Sequence, residues 1–287
     1  MPLNPNPKFP ITLPLPSMNR KKIFRWLKII VLLYCLIGIA LFYLQERFLF
    51  HPEKFSNAYV YHFNVPFEEI NIPFNRTDTI NMIKFFPVDS VRRGVVLYYH
   101  GNKENIERYA KFANSFTKHG YEVWMEDYPG FGKSTGERTE KKMLEQGLQI
   151  RKMAASKYGA DSIIIYGKSF GTGIAAYVAS ETNNKRLMLE TPYYSIPSLF
   201  SCYAPIYPTG RMSIYKIPTN EFLADVKYPV SIFHGNDDGV IPYRNAARLK
   251  AVLKPTDEFI TVEKGTHHNL ATFDVYKNKL DSLLNLQ

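Results

Sequence analysis

The chain has 287 residues, with 36 Lys and Arg against 26 Asp and Glu, and a formal net charge of +10. Six of the basic residues lie in residues 1–28, which contain no acidic residue, so most of the excess charge belongs to this segment. The remainder has no basic-aromatic groove pattern, which excludes a nucleic-acid-binding protein. Cys35 and Cys202 lack metal-ligand spacing, and we expect neither a metal nor an organic cofactor.

The N-terminal segment differs in composition from the rest of the chain. Residues 2–16 contain six prolines, which predicts a disordered tail over residues 1–22. Residues 29–44 carry no charge and predict a transmembrane signal anchor over residues 23–45. A cleaved signal peptide is the alternative, but residues 41–45 lack the small side chains that cleavage requires. The basic flank predicts a single-pass protein with a cytoplasmic N-terminus and with its C-terminal domain on the outer (periplasmic, extracytoplasmic or lumenal) side.

Residues 46–287 are sufficient for one α/β domain. Apolar runs at residues 69–74 and 80–85 predict an opening hairpin, after which strand and helix patterns alternate. That alternation favours a mostly parallel central sheet flanked by helices. The next predicted strand, residues 94–99, ends in the tripeptide His100-Gly101-Asn102.

The pentapeptide at residues 167–171, Gly-Lys-Ser-Phe-Gly, fits the pattern Gly-x-Ser-x-Gly. A short β-branched run at residues 162–166 precedes it, and a helix pattern at residues 172–179 follows. A strand, a sharp glycine turn, a serine and a helix form a nucleophile elbow, which predicts that Ser169 is a nucleophile.

Two further strand ends carry acid and base candidates. Residues 229–235 predict a strand that leads to Asp237 and Asp238, and residues 258–262 predict a strand followed by His267 and His268. The chain order Ser, Asp, His is that of an α/β-hydrolase catalytic triad.

From about Phe48 to its end, the chain resembles the serine α/β-hydrolases, in the compact branch of serine-aminopeptidase-like and protein depalmitoylase-like enzymes. Besides the elbow, residues 127–134 resemble a family loop of the form Asp-Tyr-x-Gly-x-Gly-x-Ser, and residues 234–242 resemble a His-Gly-x-x-Asp-x-x-Ile segment. Many members carry an N-terminal membrane anchor. The resemblance implies the α/β-hydrolase fold over residues 46–287, with a small cap at residues 191–224.

The resemblance also implies roles for individual residues. It assigns the acid to Asp238 rather than Asp237, and the base to His268 rather than His267. The backbone N–H groups of Asn102 and Phe170 are expected to form the oxyanion hole.

The segment before the strand at residue 229 is rich in aromatic residues. These side chains either line an acyl-chain pocket or pack a short loop onto the domain, and the candidates for the pocket are Tyr193, Tyr194, Phe200 and Tyr203.

The expected function is hydrolysis of carboxylic esters or thioesters, with a small-molecule, lipid-like or protein-borne acyl group as substrate. One alternative is a serine peptidase of the same fold, in which Glu190 at a strand end would hold the peptide amine. The other alternative is a non-catalytic binding protein that retains the fold.

Overall fold

The computed structural model describes residues 20–89 and 92–285. Residues 1–19 of the predicted disordered tail lie outside the described residues, whereas Arg20, Lys21 and Lys22 already belong to a helix. The described part of the chain divides into two compact units, with the boundary between Leu44 and Gln45.

The long N-terminal helix, α1 (Arg20–Leu49), spans 30 residues that are mostly Leu, Ile and aromatic. An 18-residue window within it has a mean hydropathy of 2.5, and none of that window is buried. By length and composition alone, this helix is able to cross a membrane.

Strands and helices alternate through the second unit. The strands are β1 (His51–Pro52), β2 (Phe67–Pro73), β3 (Thr79–Phe85), β4 (Gly94–Tyr99), β5 (Lys103–Glu104), β6 (Tyr121–Glu126), β7 (Ile163–Lys168), β8 (Arg186–Glu190), β9 (Val230–Gly235) and β10 (Glu258–Val262). The α-helices after α1 are α2 (Ile106–Tyr109), α3 (Asn114–Thr117), α4 (Glu140–Ala155), α5 (Gly171–Glu181), α6 (Ile196–Tyr203), α7 (Thr209–Met212), α8 (Thr219–Asp225), α9 (Tyr243–Ala246) and α10 (Asp274–Asn285).

The main sheet has the strand order β10-β9-β8-β7-β4-β6-β3-β2. The strands β2 and β3 form an antiparallel hairpin, and β3 is also antiparallel to β6. The remaining neighbours in the sheet are parallel. This topology confirms the predicted opening hairpin and the predicted mostly parallel sheet. The short strands β1 and β5 form a separate parallel pair.

The core lies on both faces of this sheet. In β4 the side chains alternate, so Val95 and Leu97 belong to one apolar cluster and Val96 and Tyr98 belong to the other. Every residue of β4 and β7 is buried, as expected for parallel strands that are covered on both faces.

The carboxyl ends of the parallel strands meet at one edge of the sheet, which is where ligands bind in open α/β sheets. Ser169 follows β7, Asp238 lies three residues after β9, and the paired histidines follow β10. The predicted cap, residues 191–224, contains α6 and α7 and nearly all of α8.

Candidate active site

Ser169 lies in the sharp turn between β7 and α5, with a backbone φ of +52°. A non-glycine residue in this left-handed region carries strain of about 1–3 kcal/mol. The N–H of Ser169 donates to the carbonyl of Glu190 on β8 at 2.8 Å, which holds the turn against the sheet. A Cβ at Gly167 would lie 2.6 Å from the Thr172 backbone, and one at Gly171 would lie 2.1 Å from the Tyr99 carbonyl. Both flanking positions therefore require glycine.

His267 connects Ser169 to Asp238. Its Nε2 lies 2.8 Å from Ser169 Oγ, and its Nδ1 lies 2.8 Å from Asp238 Oδ2. These distances fit the tautomer that carries its proton on Nδ1 and donates it to Asp238, so that Nε2 is free to accept the serine proton. The His267 side chain is buried, with 6% of its surface exposed.

The structure corrects the prediction that His268 is the base. His268 is exposed, and its ring lies edge-on to that of His267 at a centroid distance of 5.0 Å. The loop is closed by a hydrogen bond from the Thr266 N–H to the Asn269 side chain at 2.7 Å. Within this turn His267 is directed inwards and His268 outwards. Burial lowers the pKa of His268, and the neighbouring positive charges lower it further.

Asp238 is held by several donors. Its side chain is fully buried, and Oδ1 accepts the backbone N–H groups of Val240 and Ile241, each at 2.8 Å. Burial raises the pKa of Asp238, but the hydrogen bonds from His267 and Ile241 outweigh burial, so the pKa lies below the usual value. The carboxylate is therefore charged at neutral pH. Asp237, by contrast, is exposed.

The loop after β4 lies beside the serine. A Cβ added to Gly101 would lie 3.5 Å from Ser169 Cβ, which places the Gly101 backbone next to Ser169. Asn102 follows directly, and Phe170 lies at the N-terminus of α5. Within residues 20–89 and 92–285, neither backbone N–H donates to a protein acceptor. Both amides are therefore free to bind an oxyanion.

The loop after β6 packs against the loop after β4 and supports it. Asp127 Oδ1 accepts the Ile106 N–H at 2.9 Å and lies 3.2 Å from His100 Nε2. The Tyr128 hydroxyl donates to the His100 carbonyl at 2.7 Å. Burial raises the pKa of Asp127, and the contacts with His100 and the Ile106 N–H only partly offset that effect. Residues 127–134 therefore support the loop that carries Asn102.

The four predicted pocket residues lie in different environments. Tyr193 is buried and donates to the Phe170 carbonyl at 3.1 Å, and Phe200 is half-buried against the core. The Arg248 guanidinium lies 3.7 Å from the centre of the Tyr194 ring. Tyr203 is 60% exposed, and its hydroxyl donates to the Val240 carbonyl at 2.6 Å. In the described part of the chain, none of the four hydrogen-bonds to Ser169 or His267, and the acyl pocket stays a prediction.

Glu190 already has partners. Its carboxylate is buried and contacts the Lys168 ammonium and the Tyr166 hydroxyl, and it accepts the Tyr276 hydroxyl at 3.0 Å. Burial raises the pKa of Glu190, but the charge and hydrogen bonds of Lys168 outweigh that effect and lower it. Sequence reasoning did not identify Lys168 as its partner. The sequence did contain an indication of this pair, because Lys168 lies at the end of an otherwise apolar buried strand. A buried lysine is nearly always paired with a partner.

The described residues contain no cluster of three or more His, Cys, Asp or Glu side chains arranged to hold a metal ion.

The family model described as "Serine aminopeptidase, S33" matches residues 90–214. The chain is 26% identical to an α/β-hydrolase domain-containing protein of Caenorhabditis elegans, aho-3, over 67% of this chain and 58% of that protein. It is 28% identical to the lysophosphatidylserine lipase ABHD12 of Mus musculus, over 58% of this chain and 46% of the lipase. The chain thus spans about half the length of these two relatives.

A solved esterase from Pyrococcus furiosus superposes with a TM-score of 0.64 at 16% identity, covering 82% of this chain and 97% of the esterase. That likeness shows the fold. The chain therefore has the α/β-hydrolase fold, and its sequence resembles those of α/β-hydrolases.

Proposed function

We propose that this protein is a membrane-anchored serine hydrolase that cleaves carboxylic esters or thioesters of lipid-like acyl groups. The observation that carries the proposal is the continuous hydrogen-bond chain Ser169–His267–Asp238, with both contacts at 2.8 Å. The lipase and esterase relatives support an acyl-ester substrate, either a lipid or an acylated protein.

In the first half-reaction, Ser169 Oγ attacks the acyl carbonyl carbon while His267 Nε2 takes the hydroxyl proton. The charge that develops on the carbonyl oxygen is stabilised by the N–H groups of Asn102 and Phe170. Asp238 stabilises the imidazolium that forms. His267 then gives its proton to the leaving alcohol or thiol as the carbon–oxygen or carbon–sulfur bond breaks, leaving an acyl-enzyme.

In the second half-reaction, water attacks the acyl-enzyme and transfers a proton to His267 Nε2. Collapse of the tetrahedral intermediate breaks the bond to Ser169 Oγ, which recovers its proton from His267. The products are the free carboxylic acid and the original enzyme. The strained turn supports this cycle because it fixes the backbone of Ser169 where its Oγ contacts His267 Nε2.

The peptidase alternative loses its main candidate residue. An aminopeptidase needs a carboxylate that is free to bind the substrate amine, and Glu190 is neutralised by Lys168 and further bonded by two tyrosines. The unbroken triad geometry also favours an enzyme over a binding protein.

The helix α1 is proposed as the membrane anchor, with residues 1–22 in the cytoplasm and the catalytic domain on the opposite side. Its apolar length and the cluster of Lys and Arg before it support this arrangement. Protease protection of intact and permeabilised vesicles is expected to show the C-terminal domain cleaved only from the outer or lumenal side.

The function is tested with the purified full-length protein in detergent. We expect hydrolysis of acyl esters and thioesters by the wild type, and none by Ser169→Ala at the same concentration of folded protein. Cleavage of aminoacyl amides in preference to both ester classes would favour the peptidase. Equal turnover by wild type and Ser169→Ala would refute the proposal.

A further inference from the structure

The end of helix α1 and the residues that follow it hold the Asn102 loop. We define the helix-end segment as residues 45–52. The Asn102 side-chain amide donates to the Leu49 carbonyl, and the Asn102 carbonyl accepts the His51 N–H at 2.9 Å. The strand β1 then pairs with β5, which begins at the residue after Asn102. Asn102 is therefore fixed through both its side chain and its backbone.

The same segment also contacts the second proposed oxyanion residue. Phe50 is 3% exposed, and its ring packs edge-on against the Phe170 ring at a centroid distance of 4.9 Å. On its other sides the Phe50 ring contacts Tyr215 at 5.0 Å and the Arg138 guanidinium at 4.5 Å. Phe50 is thus enclosed between the start of α5 and the predicted cap.

The first residues of the helix-end segment are bonded to that cap. The Gln45 side chain donates to the Met212 carbonyl at 3.2 Å and accepts the Ile214 N–H at 2.7 Å. The Glu46 carboxylate accepts the Tyr215 hydroxyl at 2.8 Å. The segment is therefore held at both ends, by the cap and by the β1–β5 pair.

From these contacts we infer that the helix-end segment is a positioning element of the active site, which sets the Asn102 and Phe170 amides through Leu49, Phe50 and His51. This inference rests on the proposed function. It assigns a role in the reaction to the residues that join the apolar helix to the catalytic domain, beyond that of a tether.

The expected size of the effect follows from what an oxyanion hole requires. Its donors must lie about 2.7–3.1 Å from the developing oxyanion, and complete loss of one donor costs about 10²–10³ in kcat. Removing a support displaces a donor without deleting it. We therefore expect a loss in kcat of about 10- to 100-fold, with KM changed by less than about 3-fold, because the donors act mainly in the transition state.

The test uses the full-length protein in detergent with a soluble short-chain ester. Asn102→Ala removes the side-chain contact with Leu49 and keeps the backbone amide, and Phe50→Ala removes the ring that packs on Phe170. Phe48→Ala is the matched control, because Phe48 lies in the same segment and is 62% exposed. A trifluoromethyl ketone, which forms a tetrahedral oxyanion on the serine, reports the state of the oxyanion hole.

We expect Asn102→Ala and Phe50→Ala to lower kcat and to weaken ketone binding by matching factors, while Phe48→Ala resembles the wild type. Partial unfolding alone would lower kcat without changing the inhibition constant. If Phe50→Ala does not fold, Asn102→Ala decides, because its side chain is only partly buried.

Variants that keep wild-type kcat and ketone affinity, or that raise KM alone, would overturn the inference while leaving the proposed function intact. A well-folded wild type that hydrolyses no ester would overturn both.

Discussion

Two buried acid–base pairs lie next to each other at the carboxyl edge of the sheet, and they differ in what their basic partner reaches. Asp238 follows β9 and binds His267, whose far nitrogen contacts Ser169 Oγ. Glu190 ends β8 and binds Lys168, the residue immediately before Ser169. Both carboxylates have a lowered pKa, because in each case favourable contacts outweigh burial.

Of the two pairs, only Asp238–His267 is placed to exchange a proton with Ser169. An imidazole has two nitrogens, and the second nitrogen of His267 lies 2.8 Å from Ser169 Oγ. Among the described residues, the Lys168 ammonium hydrogen-bonds to Glu190 and to no second side chain, and tyrosine hydroxyls occupy the other oxygen of Glu190. We therefore expect the Asp238 pair to determine the rate, and the Glu190 pair to determine the stability of the elbow.

The largest expected effect concerns the two histidines. His267→Ala removes the proposed base, which contacts Ser169, and we expect kcat for ester hydrolysis to fall by about 10⁴–10⁶-fold. His268→Ala removes an exposed neighbour and is expected to change kcat by less than about 5-fold. Steady-state kinetics on both variants, with matched circular dichroism spectra, check this. A larger loss of kcat in His268→Ala than in His267→Ala would contradict the role proposed for His267.

Replacing the acid is expected to have the next largest effect. Asp238→Asn keeps the shape of the side chain but no longer holds His267 in the required tautomer, and a loss of about 10⁴-fold in kcat is typical of this change. The Val240 and Ile241 amides retain an oxygen acceptor, so the fold is expected to persist. Asp237→Asn is the matched control, because Asp237 is exposed. Similar rates for the two variants would contradict the assignment.

Breaking the Glu190–Lys168 pair is expected to lower the free energy of unfolding more strongly than it lowers kcat. Glu190→Gln leaves the buried Lys168 without a counter-charge, and removal of one partner of a buried ion pair costs about 3–5 kcal/mol of unfolding free energy. The measurement is a denaturant titration of the full-length protein in detergent. A kcat loss comparable to that of His267→Ala, with unchanged stability, would show that the pair acts in the reaction.

The smallest expected effect concerns the free energy of unfolding at acid pH. A carboxylate whose pKa is lower in the folded state contributes stability above its unfolded pKa, near 4, and this contribution is lost as pH falls through the folded value. We expect the wild type to lose stability as pH falls below about 4. Glu190→Gln is expected to show a shallower dependence of unfolding free energy on pH in this range. An unchanged slope would mean that Glu190 titrates equally in both states.

Local patterns predicted much of the fold. The strand predicted at residues 258–262 coincides with β10, and the strand predicted at residues 94–99 coincides with β4. The elbow was also recognisable, because neighbouring backbone leaves no room for a Cβ at Gly167 or Gly171, so the turn that holds Ser169 has glycine on both sides. In these cases the pattern that predicts the structure lies within a few consecutive residues of the sequence.

Features that depend on tertiary contacts were not predictable. Adjacent histidines in a turn point in opposite directions. An error of one residue in aligning the motif therefore selects the exposed His268 instead of the buried His267. Likewise, the partners of Glu190 lie on β7 and α10. The rings of Phe50 and Phe170 are in contact although the two residues are 120 positions apart in the sequence. No local pattern links such distant positions.

The most direct test of the central claim is fluorophosphonate labelling of the full-length protein, followed by intact-mass measurement and peptide mapping. We expect one adduct, on Ser169, in the wild type and in His268→Ala. We expect no adduct in Ser169→Ala and much slower labelling of His267→Ala. An adduct on another residue, or labelling that depends on His268 rather than His267, would contradict the central claim.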